Sequence, residues 1–325
     1  MEIRCRRMDW EYRSPFRIAY RTETHAQTVL VELRDGDVSG HGEAMGVSYQ
    51  GETPDTVLRQ LLGLAGALEK SISRHELCGL LPAGGARNAL DCALWDLQAK
   101  RERRRAWDLA GMSAVRPLTT AYTLGLDTPE STGRSAAAAT SYSLLKLKLM
   151  GADDLERVAA VRRTRPDAEL IVDANQSWNV RQLRDFVPRL ADLGVRLIEQ
   201  PMPVGGDAVL AGFASPIPLC ADESCQTVEG LASLIGKYQY INIKLDKTGG
   251  LTDALHLART AQAHGFRLMV GCMGGSSLAM APAFVIGQLC DVVDLDGPLL
   301  LKSDIDHPIR YAGSQMYAPE EPLWG

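Results

Sequence analysis

The chain predicts an α/β fold: a (β/α)8 barrel of the modified TIM type, preceded by an α+β capping domain. Three observations carry that prediction. From about residue 117, short apolar runs alternate with amphipathic stretches at nearly constant spacing. Almost every run ends in a polar or charged residue, where a barrel gathers its active site. The first 110 or so residues lack this rhythm and read as strands followed by helices.

In the N-terminal part, "TVLVELRDGDVSGHGEA" (28–44) alternates in the manner of a β-hairpin turning at Asp35-Gly36-Asp37. "TPDTVLRQLLGLAGALEKSI" (53–72) and "ARNALDCALWDLQAKRERR" (86–104) have helical spacing. The basic run "KRERRR" (100–105) closes the second helix, where positive charge complements the helix dipole. The capping domain is expected over 1–112, completed by the tail at about 305–325, with the barrel over 113–304.

Within the barrel the run ends are Thr123, Lys148, Asp173, Glu199, Asp222, Lys244, Val270 and Asp294. From Lys148 onward they lie 25, 26, 23, 22, 26 and 24 residues apart, each interval the size of one βα unit. Between them lie helix-like stretches such as "DDLERVAAVRRT" and "LTDALHLARTAQAHG". An open doubly wound sheet rarely needs eight such even units. The stretch 268–290 carries no charge over 23 residues, long enough to span a bilayer. Its Gly-Gly-Ser-Ser turn and Pro282 instead predict a buried strand, a turn and a buried helix.

In "LLKLKL" (144–149), Lys146 and Lys148 share one strand face and Leu145, Leu147 and Leu149 take the other. A solvated edge strand would tolerate this pair, but a closed barrel has no edge, so both point into the mouth. Asp173, Glu199 and Asp222 end three successive strands and converge there. Three carboxylates in one partly dry site repel unless a cation holds them, and all-oxygen ligation suits Mg²⁺ or Mn²⁺ rather than zinc. Lys148 and Lys244, on the second and sixth strands, face each other across the mouth. An amine near a cation has its ammonium form destabilised and can work as a base. Two amines on opposite sides of one carbon could remove and return a proton, with Lys146 supporting the charge that develops on a substrate carboxylate. On the eighth strand Asp294 and Asp296 again share a face, and two carboxylates beyond the metal could hold a substrate ammonium.

The motifs "KLKL", "IVDANQSW", "LIEQP", "CADES" and "NIKLDKTGGL", in this order, resemble the enolase superfamily, and within it the muconate-lactonizing-enzyme subgroup. "ARNALDCALWDLQAK" extends the resemblance into the capping domain. Enolase-superfamily sites pair a Lys or His base with Mg²⁺ at an enediolate. The resemblance implies Asp173, Glu199 and Asp222 as metal ligands, Lys148 and Lys244 as the acid/base pair, and Lys146 on the substrate carboxylate. The seventh strand, "VGCMGG", lacks the histidine of the sugar-acid dehydratases, and all six histidines fall outside the strand ends. The Asp294-x-Asp296 pair is similar to that of the dipeptide epimerases, with Thr123 and Cys272 as pocket parts. The expected enzyme is therefore an isomerase that inverts the C-terminal α-carbon of an L,L-dipeptide by 1,1-proton transfer, in the manner of L-Ala-D/L-Glu epimerases. Muconate cycloisomerase, o-succinylbenzoate synthase and N-acylamino-acid racemase are the alternatives on the same scaffold.

One departure bears on specificity. The loop "FRIAYRTETHAQ" (16–27), expected to lie flexibly over the site, has Glu23 where the acidic-substrate group carries an arginine. Glu23 would favour a cationic side chain, and Arg21 or Arg17 could stand in for the missing arginine, so the side-chain class stays open. The net charge of −5 gives no electrostatic case for nucleic acid or anionic lipid, leaving a small dipeptide as the expected partner. A homo-oligomer is compatible with the sequence but not indicated by it. Seven scattered cysteines without a C-x-x-C pair, and an N-terminus without an apolar run, predict a reduced, cytoplasmic protein.

Overall fold

The computed structural model describes residues 1–19, 21–64, 66 and 72–325. Its N-terminal part is a three-stranded antiparallel sheet of β1 (Glu2–Ile18), β2 (Arg21–Asp35) and β3 (Val38–Ala44). The β2–β3 hairpin turns where expected, with Asp35 paired to Val38 and Gly36 at φ +62°. β1 and β2 pair from Glu2/Arg34 to Glu11/His25, slip at an irregularity, and resume from Phe16/Glu23 to Ile18/Arg21. The described residues of the expected flexible loop at 16–27 are thus largely strand-paired, and residue 20 lies outside the described residues. The alternation of this segment was masked because the tip, unlike the rest, has no continuous sheet neighbour to bury one face.

Among the described residues, three helices pack beside the sheet or on one another. α1 (Pro54–Leu62) starts at a Thr53/Thr56 capping box with proline in its first turn, and α2 (Arg74–Leu80) at a Ser73/Glu76 box. α1 is shorter than the predicted helix over 53–72; Gly63 caps it, and residues 65 and 67–71 of that segment lie outside the described residues. α3 (Gly85–Glu102) is the central helix, buried along almost its whole length. It packs so closely on β3 that a Cβ at Gly40 would stand 2.2 Å from the Ala93 carbonyl oxygen, and one at Gly42 2.1 Å from that of Ala89.

The barrel comprises eight strands in chain order: β4 (Tyr122–Leu124), β5 (Leu144–Lys148), β6 (Glu169–Asp173), β7 (Val195–Glu199), β8 (Leu219–Ala221), β9 (Tyr240–Ile243), β10 (Arg267–Val270) and β11 (Val292–Val293). A parallel bridge between Thr120 and Val293 joins the last strand to the first. Most crossovers are α-helices: α4 (Pro129–Ala138), α5 (Asp154–Thr164), α6 (Val180–Asp192), α7 (Leu251–Ala263) and α8 (Ser277–Gly287). Asp207–Leu210 and Val228–Leu234, after β7 and β8, are 3₁₀ turns instead. The uncharged 268–290 stretch is a buried strand, a turn and the buried helix α8, and no described helix is long and apolar enough to cross a membrane.

Strand alternation sorts the barrel into layers. Leu145, Leu147, Leu170, Val172, Ile198, Leu219 and Ile241 face outward into the main core beneath the helices. Ala121, Leu144, Ile171, Leu197, Cys220, Tyr240, Met269 and Val292 face inward and plug the barrel floor. The next inward residues, two positions on, are polar: Thr123, Lys146, Asp173, Glu199, Asp222, Asn242 and Asp294. On β10 the corresponding residue is Gly271, where a Cβ would come within 2.9 Å of the Asn242 amide and 3.2 Å of Lys244 Cε.

The tail after the barrel returns to α3. Trp324 Nε1 donates to Cys92 O (3.1 Å) and Gly325 N to Asp96 Oδ1 (2.6 Å). α3 in turn grips the turn that follows β9. Arg87 reaches Thr248 O and Asp253, each at 2.7 Å, while Asp91 accepts from the Thr252 hydroxyl and backbone N–H. This is the physical content of the "ARNALDCALWD" and "KTGGL" motifs: one helix of the capping domain fixes the segment just behind Lys244.

Candidate active site

Strand register aligns the polar layer. Lys148 lies opposite Asp173, and Asp173 opposite Glu199. Lys148 Nζ is 2.6 Å from Asp173 Oδ2, and Lys244 Nζ 2.6 Å from Asp222 Oδ2. Lys146 Nζ stands between three carboxylates, 2.6 Å from Glu199, 2.6 Å from Asp294 and 3.4 Å from Asp173. Lys247 holds Asp222 from behind, donating to its Oδ1 (2.7 Å) and backbone O (2.5 Å). Asn242 Nδ2 donates to Glu199 Oε1 (2.7 Å).

Charge competition follows from this crowding. Burial alone would depress the Lys146 ammonium, but Asp294, Glu199 and Asp173 around it hold its pKa well above the usual lysine range. Not all three acids can stay ionised around one ammonium. Burial, then the negative charge of Asp173, pushes Glu199 up to about 7. Against burial, Lys244 and Lys247 hold Asp222 below the ordinary carboxylate range. Burial and the neighbouring Asp294 push Asp296 up to about 7. Burial pushes the Cys272 thiol up to about 12, helped by Asp294 and Asp296, so this cysteine is a neutral piece of wall and not a nucleophile.

A pocket opens over this layer. The barrel lines it with Thr123, Lys146, Lys148, Asp222, Lys244, Cys272, Asp294 and Asp296, and the capping domain with Tyr12, Phe16, Ile18, Arg21 and Tyr49. Asp173 and Glu199 lie just beneath, fully buried, within reach of the lysines. Thr123 N donates to Asp296 Oδ2 (2.6 Å), and its hydroxyl to Asp294 Oδ1 (3.4 Å). Arg21 Nη1 donates to the Ser48 hydroxyl (2.5 Å) and lies 3.2 Å from Glu23 Oε1. Glu23 stands beside the pocket rather than in its lining.

The geometry matches known proteins along the whole chain. Residues 1–111 match the N-terminal domain of mandelate racemase / muconate lactonizing enzyme, and residues 131–325 the enolase C-terminal domain-like family. The chain belongs to the mandelate racemase / muconate lactonizing enzyme family. Among similar relatives, L-Ala-D/L-Glu epimerase of Escherichia coli is 43% identical over 95% of this chain and 97% of its own. N-acetyl-D-glutamate racemase of a Pseudoalteromonas species is 44% identical over 91% and 95%. A crystal structure of an enolase family member from Agrobacterium tumefaciens, with homology to dipeptide epimerases and with bound sodium and L-Ala-L-Glu, superposes at a TM-score of 0.97. It is 42% identical over 99% of both chains.

For a member of this family the question is whether the residues present fit a divalent cation. Among the described residues no three acids, histidines or cysteines are already gathered at ligating distance, and ammonium groups engage Asp173, Glu199 and Asp222. Two observations nonetheless fit a hard cation. Around the mouth, six buried carboxylates (Asp173, Glu199, Asp222, Glu223, Asp294, Asp296) outnumber four buried lysines (146, 148, 244, 247), and burial beside like charges pushes Glu199 and Asp296 up to about 7 where no cation holds them. Several buried oxygens there also have no hydrogen-bond donor: Glu199 Oε2, Glu223 Oε2, Asn175 Oδ1 and Asn242 Oδ1. Glu199 Oε2 is close to Lys146 but outside hydrogen-bonding geometry. Oxygen acceptors in surplus are what Mg²⁺ or Mn²⁺ takes.

Sequence reasoning missed Glu223, Asn175, Asn242, Lys247, Tyr49 and Gln200. Asn242 was readable, since it shares its strand face with Lys244. Glu223 was not: strict alternation turns it away from Asp222, but β8 ends at Ala221 and both acids line the pocket. Gln200, at φ +35°, accepts from Asp222 N (2.9 Å) and Ser224 N (3.1 Å) and so braces the end of β8.

Proposed function

We propose that this enzyme is a dipeptide epimerase that inverts the α-carbon of the C-terminal residue of an L,L-dipeptide, and that the residue inverted carries an acidic side chain. In this reading Lys148 and Lys244 are the acid/base pair on opposite faces of that carbon. Asp173, Glu199 and Asp222 hold a divalent cation, Mg²⁺ in first place, which when bound would withdraw charge from the substrate carboxylate. Lys146 shares that charge, and Asp294 and Asp296 take the N-terminal ammonium. The observation that carries the reading is a pocket lined both by two lysines from opposed strands and by an acid pair with Thr123. That set of charges complements a dipeptide zwitterion.

The acidic side chain is argued from Arg21. It lines the pocket, braced by Ser48, whereas Glu23 is turned toward Arg21 and lies outside the lining. A screen of dipeptides for deuterium uptake at the C-terminal α-carbon in D₂O tests the whole proposal. Exchange into L-Ala-L-Glu and its acidic analogues is expected; no exchange into any dipeptide would sink it.

One observation favours a second reading, racemisation of an N-acylated amino acid. Asp294 is already paired with Lys146, and burial pushes Asp296 toward its neutral form, so the acid pair need not meet an ammonium. Asp294→Asn separates the two. A dipeptide enzyme should lose about 10- to 100-fold in kcat/KM, the worth of a hydrogen bond to a charged group. An N-acylamino-acid racemase makes no ammonium contact, so its loss should be the smaller, confined to what the Lys146–Asp294 pair contributes.

A further inference from the structure

Two side chains at the mouth have acceptor atoms that nothing in the fold uses. Asn175 follows the end of β6, in a bend where Asn175 (φ +42°) and Gln176 (φ +67°) both adopt the left-handed region that non-glycine residues rarely enter. Hydrogen bonds from Gln176 N to Gln200 O (2.9 Å) and from Trp178 N to Pro201 O (3.0 Å) lock the bend in place. The bend brings the Asn175 backbone N–H to Asp173 Oδ1 (2.9 Å) and its side-chain amide to Glu223 Oε1 (3.4 Å). Its backbone N–H and its side-chain amide nitrogen are therefore both turned toward carboxylates, and Asn175 Oδ1 and Glu223 Oε2 are left without donors.

Asn175 is 7% and Glu223 3% exposed, so bulk water does not satisfy these oxygens, and both residues line the pocket. A buried acceptor without a donor costs free energy unless a ligand supplies one. The pair adjoins Asp173 on one side and Asp222 on the other.

We infer that Asn175 and Glu223 form an outer acceptor pair of the divalent-cation site, taking hydrogen bonds from the water molecules the cation retains. The inference rests on the reading that Asp173, Glu199 and Asp222 hold such a cation. Mg²⁺ gives up its hydration shell reluctantly and commonly keeps several waters. Those waters are strong donors, and the oxygens facing them here are acceptors in surplus. Outer partners of this kind typically contribute 10- to 100-fold to metal affinity. Asn175 is then a positioning residue twice over: it orients Asp173 through its backbone and Glu223 through its amide.

The test is calorimetric titration of Mg²⁺ into the wild-type protein, Glu223→Gln and Asn175→Ala, without any dipeptide. In Glu223→Gln the Asn175 amide selects the new carbonyl oxygen as its acceptor, so the –NH₂ group faces the cation's waters with the wrong polarity. Mg²⁺ affinity should fall about 10- to 100-fold in Glu223→Gln and by a smaller factor in Asn175→Ala, with unchanged circular dichroism. Wild-type Mg²⁺ affinity in a folded Glu223→Gln would overturn the inference, even if its dipeptide KM rose. Should that variant not fold, wild-type affinity in Asn175→Ala would do the same. A wild-type protein that binds no Mg²⁺ would sink the cation reading itself, a distinct failure.

Discussion

Lys148 and Arg21 reach the same pocket from unlike supports. Lys148 ends a barrel strand paired to β4 and β6 on its two sides, and its row of neighbours is set residue by residue by parallel register. Arg21 begins β2 beyond the irregularity that interrupts its pairing with β1, at a hairpin tip with no third strand. One side chain ends a strand held on both sides within the barrel; the other, among its contacts, donates to the Ser48 hydroxyl and pairs with Glu23. The difference teaches a division of labour. On the proposed reading, proton-transfer geometry would be carried by the barrel, where a shift of an ångström is costly, and side-chain choice by the edge of the capping sheet, which can change without disturbing the barrel.

The largest effect expected from this contrast is on the barrel side. Lys148→Ala and Lys244→Ala should each lower the epimerisation rate about 10²- to 10⁴-fold, the range for a general acid or base, on every dipeptide alike. NMR of α-proton exchange reads this, and near-wild-type rates in either variant would break the comparison. A steric change inside the capping domain should come next. Gly40→Ala drives a methyl group into the backbone of α3, the helix that braces the turn behind Lys244. Overpacking of this kind costs about 1–3 kcal/mol or more, seen as a lowered melting temperature.

Arg21→Met should be selective rather than general. Loss of a charge-assisted hydrogen bond predicts a fall of about 10- to 100-fold in kcat/KM for an acidic side chain, with a neutral dipeptide almost unaffected. An equal loss on both would show the hairpin tip acting on catalysis and would erase the division. The smallest effect belongs to a site remote from both. Thr53→Ala removes the N-cap of α1 and should cost about 1 kcal/mol in stability without changing kcat.

The repeat of apolar runs, the hairpin at Gly36 and the inward row of Lys146, Lys148, Asp173 and Glu199 were legible because they depend on period-two alternation within single strands. Asp222, Lys244 and Asp294 were legible for a related reason: each sits at the end of such a run, where a barrel strand opens into the mouth. Alternation is a local property, and a closed barrel turns it directly into a site. Glu223, Asn175 and Gln200 escaped it because they lie just past the strands, where left-handed φ values and cross-strand hydrogen bonds set the direction of each side chain. The same holds for the tip of β1 and β2, whose pairing depends on partners rather than pattern. By itself the sequence determined which residues face inward and in what order around the ring. Only the tertiary structure decided which carboxylate each lysine meets, which oxygens are left without donors, and that Arg21 rather than Glu23 enters the pocket. Those outcomes depend on distances between segments far apart in the chain, which no local period encodes.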